Sequence, residues 1–180
     1  MEGFSMKNSN KKGFTLVELV VVIAIIGVLA AILVPSMMGY VKKSRLKTAN
    51  GNAKTAYNTA AGALADLETS GVQVSSLDTS VECNSGTTSV PDIDSVDSST
   101  AVTYVKAVVQ NALGANGKDG GVAYLKGDTT ADGIWGAQWI RKSGDSIVGQ
   151  YPEAPTTVEK AEDMTFGTLS LTPPASNGNS

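Results

Sequence analysis

The sequence predicts an α+β protein: a long N-terminal helix, first apolar and then amphipathic, packed against a small antiparallel sheet. Three observations predict it. Residues 14–34 form an apolar run of 21 residues broken by one charge, Glu18. Apolar residues then recur at spacings of three and four as far as Leu67, with no proline between Pro35 and Pro91. Beyond Gly114, short alternating segments are separated by Gly, Asn and Asp, as in antiparallel strands. The 180 residues suffice for one ordinary domain, or a smaller one with an appendage.

Composition excludes several function classes. Residues 1–54 carry a charge balance of +6 and residues 55–180 one of −9, which implies parts facing different surroundings. The acidic bulk argues against general nucleic-acid binding, which needs a basic face. With no histidine, the commonest general base and the commonest zinc ligand are missing. The single cysteine, Cys83, forms no intrachain disulfide. Enzymatic activity is not expected, although a Ser–Lys pair stays open.

The run over residues 14–34 is apolar all round and, as a helix, spans roughly 30 Å, a bilayer's hydrocarbon thickness. The polar leader ahead of it holds Lys7, Lys11 and Lys12, and Met6 is an alternative start to Met1. No small-residue cleavage site follows the run, so it reads as a retained anchor. Lysines before it and Lys42, Lys43, Arg45 and Lys47 after it leave the orientation open by charge counting. A carboxylate in a membrane segment is a functional hypothesis by default. Glu18 either meets a cation, such as an amine freed at Phe14, or snorkels to the interface.

The stretch KKGFTLVELVVVIAIIGVLAAILVP resembles the signal and N-terminal helix of type IV pilins and pseudopilins, over about residues 11–40. The resemblance implies cleavage by a prepilin peptidase between Gly13 and Phe14, and N-methylation of Phe14. It implies an assembly role for Glu18 against a neighbour's N-terminal amine, with Thr15 and Leu16 beside it. It also implies a cytoplasmic leader, an external C-terminal domain and local loosening of the helix between Gly27 and Pro35. The residues allow the last point, because Pro35 removes a helix hydrogen bond and Gly27 is a weak helix former.

The expected organisation is a leader over residues 1–13, a transmembrane and assembly helix over 14–39, and its amphipathic continuation over 40–70. A head follows over 71–180. It comprises a variable loop (71–100) with one short strand, a helix (100–113) and antiparallel strands within 122–171. The strand segments are 122–126, 134–141, 146–151 and 164–171. Cys83 is expected to be partly buried. The basic cluster from Lys42 to Lys47 suits lipid phosphate, or acids of neighbouring heads. Trp135 and Trp139 share one strand face, which either covers the helix or forms a ligand platform. Asp119, Asp128, Asp132 and Asp145 fall near strand ends, where carboxylates suit Ca²⁺, although ordinary turns use Asp as readily. No cofactor and no fixed metal site are otherwise expected.

The functional expectation is a structural subunit of a type IV pilus-like surface filament, supporting adhesion, motility or surface interaction. It begins as a single-pass membrane precursor and polymerises as a helical homo-oligomer. The resemblance implies the prepilin peptidase, an assembly ATPase and a platform protein as partners. One rival is a pseudopilin of a secretion or DNA-uptake system, the case in which nucleic acid would matter. Another is a singly anchored surface ligand-binding protein.

Overall fold

The computed structural model describes residues 13–128 and 135–169. The chain divides into two compact units, Met1–Val41 and Lys42–Ser180. Helix α1, Leu16–Thr69, is 54 residues long and runs unbroken through Gly27 and Pro35. In the first unit its large apolar side chains, from Leu16 to Val41, are exposed. The helix is long and apolar enough to cross a membrane.

The second unit has a different logic. On α1, Leu46, Ala49, Ala53, Ala56, Ala60, Ala63 and Leu67 are buried at spacings of three and four. The alanines let a sheet approach the helix closely. That sheet has four antiparallel strands in the order β1 (Ser76–Glu82), β2 (Val122–Asp128), β3 (Trp135–Ile140) and β4 (Gly149–Tyr151). Leu77, Val81, Ala123, Leu125, Ala137 and Trp139 form its core face, joined by Val105, Val109 and Leu113 of α2 (Ala101–Gly114). A short helix, α3 (Val158–Glu162), adds Val158 and Ala161 to the same core.

The opposite face of the sheet is also covered. Val122, Ile140 and Val148 pack with Met164 and Phe166. Gln138 is fully buried and satisfied there. Its Nε2 donates to Gln150 Oε1 and to the Thr168 carbonyl, both at 3.1 Å, and its Oε1 accepts the Gly167 N–H at 2.9 Å.

Two expectations need correction. Residues 164–169 form no strand. The chain turns at Gly167, whose φ is +85°, and hydrogen-bonds to the Gln138 side chain instead of a ladder. The sheet's fourth member is β1, from the segment assigned mainly to loop. The third strand is shorter than 146–151, because residues 146–148 lead into it as irregular chain. The turn at Asp132 and the end of the chain beyond residue 169 lie outside the described residues.

Helix α2 is entered through a capping box. Asp97 Oδ1 accepts the N–H groups of Ser99 and Thr100 at 2.9 and 3.0 Å, while Thr100 Oγ1 accepts the Asp97 N–H at 3.0 Å. Hydrogen bonds from the Ser99 and Thr100 hydroxyls and N–H groups hold the Asp97 carboxyl down to about 2. A lowered carboxylate adds stability above its unfolded value and loses it as pH falls through the folded one. The stability difference between wild type and Asp97→Ala is therefore expected to be constant above pH ~4 and to vanish toward pH ~2. Thermal melts across that range measure it.

Cys83 is fully buried, and burial pushes its thiol up to about 11. At pH 8 only about a thousandth would be thiolate. Alkylation by iodoacetamide is expected to run at least about a hundredfold slower in the folded chain than in urea. Equal rates would contradict the buried placement.

Candidate functional site at the N-terminal helix

Thr15 and Glu18 build the start of α1 together. Glu18 Oε2 accepts the Thr15 N–H and the Thr15 hydroxyl, both at 2.8 Å, and Thr15 Oγ1 accepts the Glu18 N–H at 3.2 Å. This is a reciprocal capping box, which satisfies donors that the first helical turn cannot pair internally. Sequence reasoning named both residues but missed the box, although its T-x-x-E signature spans residues 15–18. The arrangement gives Glu18 a local role before any partner arrives. Both bonds engage Oε2, so among the described residues Oε1 remains free for another donor. Gly13 and Phe14 precede the helix outside regular secondary structure, and Phe14 is 82 % exposed. Leu16 opens the helix and is likewise exposed.

This N-terminal sequence is where a known family motif matches the chain. The prokaryotic N-terminal methylation motif matches residues 8–34, which include Gly13, Phe14, Glu18 and Gly27. The chain is similar to the type IV major alpha-pilin of Moraxella bovis, 54 % identical over 41 residues. That match covers 23 % of this chain and 26 % of the relative. Over this segment the chain is similar to type IV pilins. The type IV major fimbrial protein FimA of Dichelobacter nodosus is 46 % identical over 54 residues, 28 % of this chain and 35 % of FimA. The type IV wide pilus major component PilA4 of Thermus thermophilus is 50 % identical over 48 residues, 27 % and 33 % respectively. The chain thus spans about a third or less of the length of these pilins. No solved structure matches. The family-model match lies at the N-terminal segment, residues 8–34.

The other sequence-derived candidates lie in the head. Trp139 is 3 % exposed, and its Nε1 donates to the Gly120 carbonyl at 2.7 Å. Trp135 stacks on Tyr57 of α1, with centroids 4.1 Å apart and planes 13° apart. The two indoles do share a face, but it is the face turned to α1. The paired ligand platform is therefore not formed, because sheet–helix packing consumes that surface.

Asp119 lies 3.5 Å from Arg141, and Asp145 accepts the Ile147 N–H at 3.3 Å. Among the described residues no three acidic or thiol groups converge as a metal site would require, and Asp132 lies outside them. Within the basic cluster, Lys42 is already paired with Glu162 of α3 at 2.9 Å.

Proposed function

We propose that this chain is the structural subunit of a type IV pilus-like surface filament. The observation that carries the reading is the apolar surface of α1. Its large side chains from Leu16 to Val41 are exposed, while the second unit closes its own core without them. Such a surface needs cover, first from lipid and then from the same helix of neighbouring subunits. Lipid is already apolar, so assembly gains by packing and by pairing Glu18, not by removal from water.

In this reading the precursor inserts as a single span with residues 1–13 in the cytoplasm. A prepilin peptidase cuts between Gly13 and Phe14, leaving 167 of the 180 residues, and Phe14 is N-methylated. The capping box survives the cut, since Thr15 and Glu18 both remain. Glu18 Oε1 then accepts the Phe14 amine of an adjacent subunit and sets the register. The apolar contacts, Gly27 and Pro35 accommodate packing along the helix. A separate ATPase and platform protein drive assembly. Adhesion, motility or surface interaction follows at the filament surface, and the role asks for no cofactor and no catalysis by this chain.

Co-expression of the full chain with a prepilin peptidase tests the reading. The expected product has lost residues 1–13, and substitution of Gly13 by a bulky residue abolishes the loss. A chain that stays uncut with an active peptidase would instead favour the anchored binding protein.

A further inference from the structure

Three Asn–Gly pairs occur in the sequence, at 50–51, 116–117 and 177–178, and the third lies outside the described residues. In such a pair the glycine has no side chain to hinder its own nitrogen, which can attack the preceding side-chain amide. The first two pairs share the local sequence Ala-Asn-Gly. What separates them is chiefly the fold around each.

Asn50 is held by its surroundings. It lies within α1, where the helical ladder engages the backbone. Its Nδ2 donates to the Pro155 carbonyl at 2.9 Å, and its Oδ1 accepts the Gln150 N–H at 3.4 Å. Ring closure there would have to break both bonds and open a helical turn.

Asn116 lacks these restraints. It lies past the end of α2, and its side chain makes no hydrogen bond among the described residues. Residues 115–119 are all exposed. Asn116 leads into a 3₁₀ turn, Gly117–Asp119. The Asp119 N–H donates to the Asn116 carbonyl at 3.3 Å, and the Gly120 N–H to the Gly117 carbonyl at 3.0 Å. With ψ of 3° at Asn116, the Gly117 nitrogen sits out of the plane of the ring it would close. Closure therefore follows opening of this turn, which costs little in a single exposed turn.

We propose that Asn116 deamidates spontaneously through a cyclic imide, making it a covalent modification site of the head. The Gly117 nitrogen gives up its proton and bonds to Asn116 Cγ, and the side-chain nitrogen leaves as ammonia. Water then opens the imide. Attack at Cγ yields aspartate at position 116. Attack at the backbone carbonyl yields isoaspartate, whose main chain runs through Cβ and Cγ. One water is consumed, one ammonia is released, and nothing is oxidised or reduced.

The consequence comes from what the turn supports. Isoaspartate adds one methylene to the main chain just ahead of Gly120. Gly120 is buried, with no room for a Cβ against the Cys83 carbonyl, and its own carbonyl accepts Trp139 Nε1 at 2.7 Å. A lengthened turn pushes against both contacts, in an interior that has no slack. Aspartate keeps the chain length and adds a charge in an exposed turn, where it matters little. Isoaspartate therefore weakens the head, while aspartate leaves it nearly unchanged.

The test incubates the purified full chain in detergent, folded and in urea, at mildly alkaline pH. Mass spectrometry follows the tryptic peptides ending at Lys54 and Lys118, with fragment ions locating the modified residue. In the folded chain Asn116 is expected to convert at least about tenfold faster than Asn50, giving both aspartate and isoaspartate. In urea the two rates should agree within about threefold, because the shared sequence remains and the restraints do not. In heavy-oxygen water each product should gain one label. The melting temperature of the ageing chain should fall as isoaspartate accumulates. Asn116→Gln, whose longer side chain closes a ring poorly, should hold its melting temperature over the same period. Asn116→Asp should melt with the fresh wild type. Equal rates at Asn50 and Asn116 in the folded chain would overturn the proposal. Aspartate formed without isoaspartate would overturn the imide route in favour of direct hydrolysis. Isoaspartate formed with no change in melting would overturn the strain on Gly120.

Discussion

Replacing Gly149 by alanine is expected to destabilise the head by about 3 kcal/mol, at the upper end of overpacking costs. A Cβ there would run into the Ala49 carbonyl and the Asn50 nitrogen, which are backbone atoms of α1. They cannot yield as a side-chain tip would, because each belongs to a hydrogen-bonded turn. Asn50 also ties the two elements together. Its Nδ2 donates to the Pro155 carbonyl at 2.9 Å, and its Oδ1 accepts the Gln150 N–H at 3.4 Å. A displaced β4 would strain both bonds. The melting temperature should fall by about 10 °C, given the entropy of a domain this size. Gly51→Ala is the control, since open space surrounds that position in exposed helix. It should stabilise by about 0.5–1 kcal/mol. If Gly149→Ala melts with the wild type, β4 does not lie against α1 as described.

Glu18→Ala should cut filament incorporation more than tenfold while insertion and cleavage continue. Insertion should become easier, because a carboxylate in a membrane segment costs several kcal/mol. Two roles for Glu18 need separating, a helix cap and a charge partner. Glu18→Gln does so. A glutamine keeps an oxygen for the Thr15 N–H and hydroxyl but carries no charge to pair with a neighbour's amine. If charge sets register, Gln fails as Ala does. If capping alone mattered, Gln would assemble almost normally. Filaments from both variants, counted by electron microscopy against the wild type, decide it.

Much of this architecture was legible because it follows period. The 3.6-residue stripe from Leu46 to Leu67 marked the packed half of α1, and the alternation at Trp135, Ala137 and Trp139 marked a strand, although both of its faces are covered. Strand β1 was harder to read. Leu77, Thr79 and Val81 alternate correctly, but polar neighbours in an acidic stretch disguised them as loop. Residues 164–169 misled in the opposite direction. Thr165, Phe166 and Thr168 are good strand formers, yet Gly167 adopts a φ that breaks a strand. The two capping boxes carried a readable signal, T-x-x-E at 15–18 and D-x-x-T at 97–100. A cleft lined by Arg45, Arg141 and Ile147 could not be read at all. Arg45 and Arg141 come from distant parts of the chain, and only the fold brings them together.

The central claim is that this chain is processed at Gly13 and built into filaments. Mass spectrometry of the N-terminal peptide, on filaments sheared from cells that make the protein, tests it most directly. The account predicts an abundant peptide beginning at N-methylated Phe14. A chain confined to the membrane fraction, with residues 1–13 still attached, would contradict it.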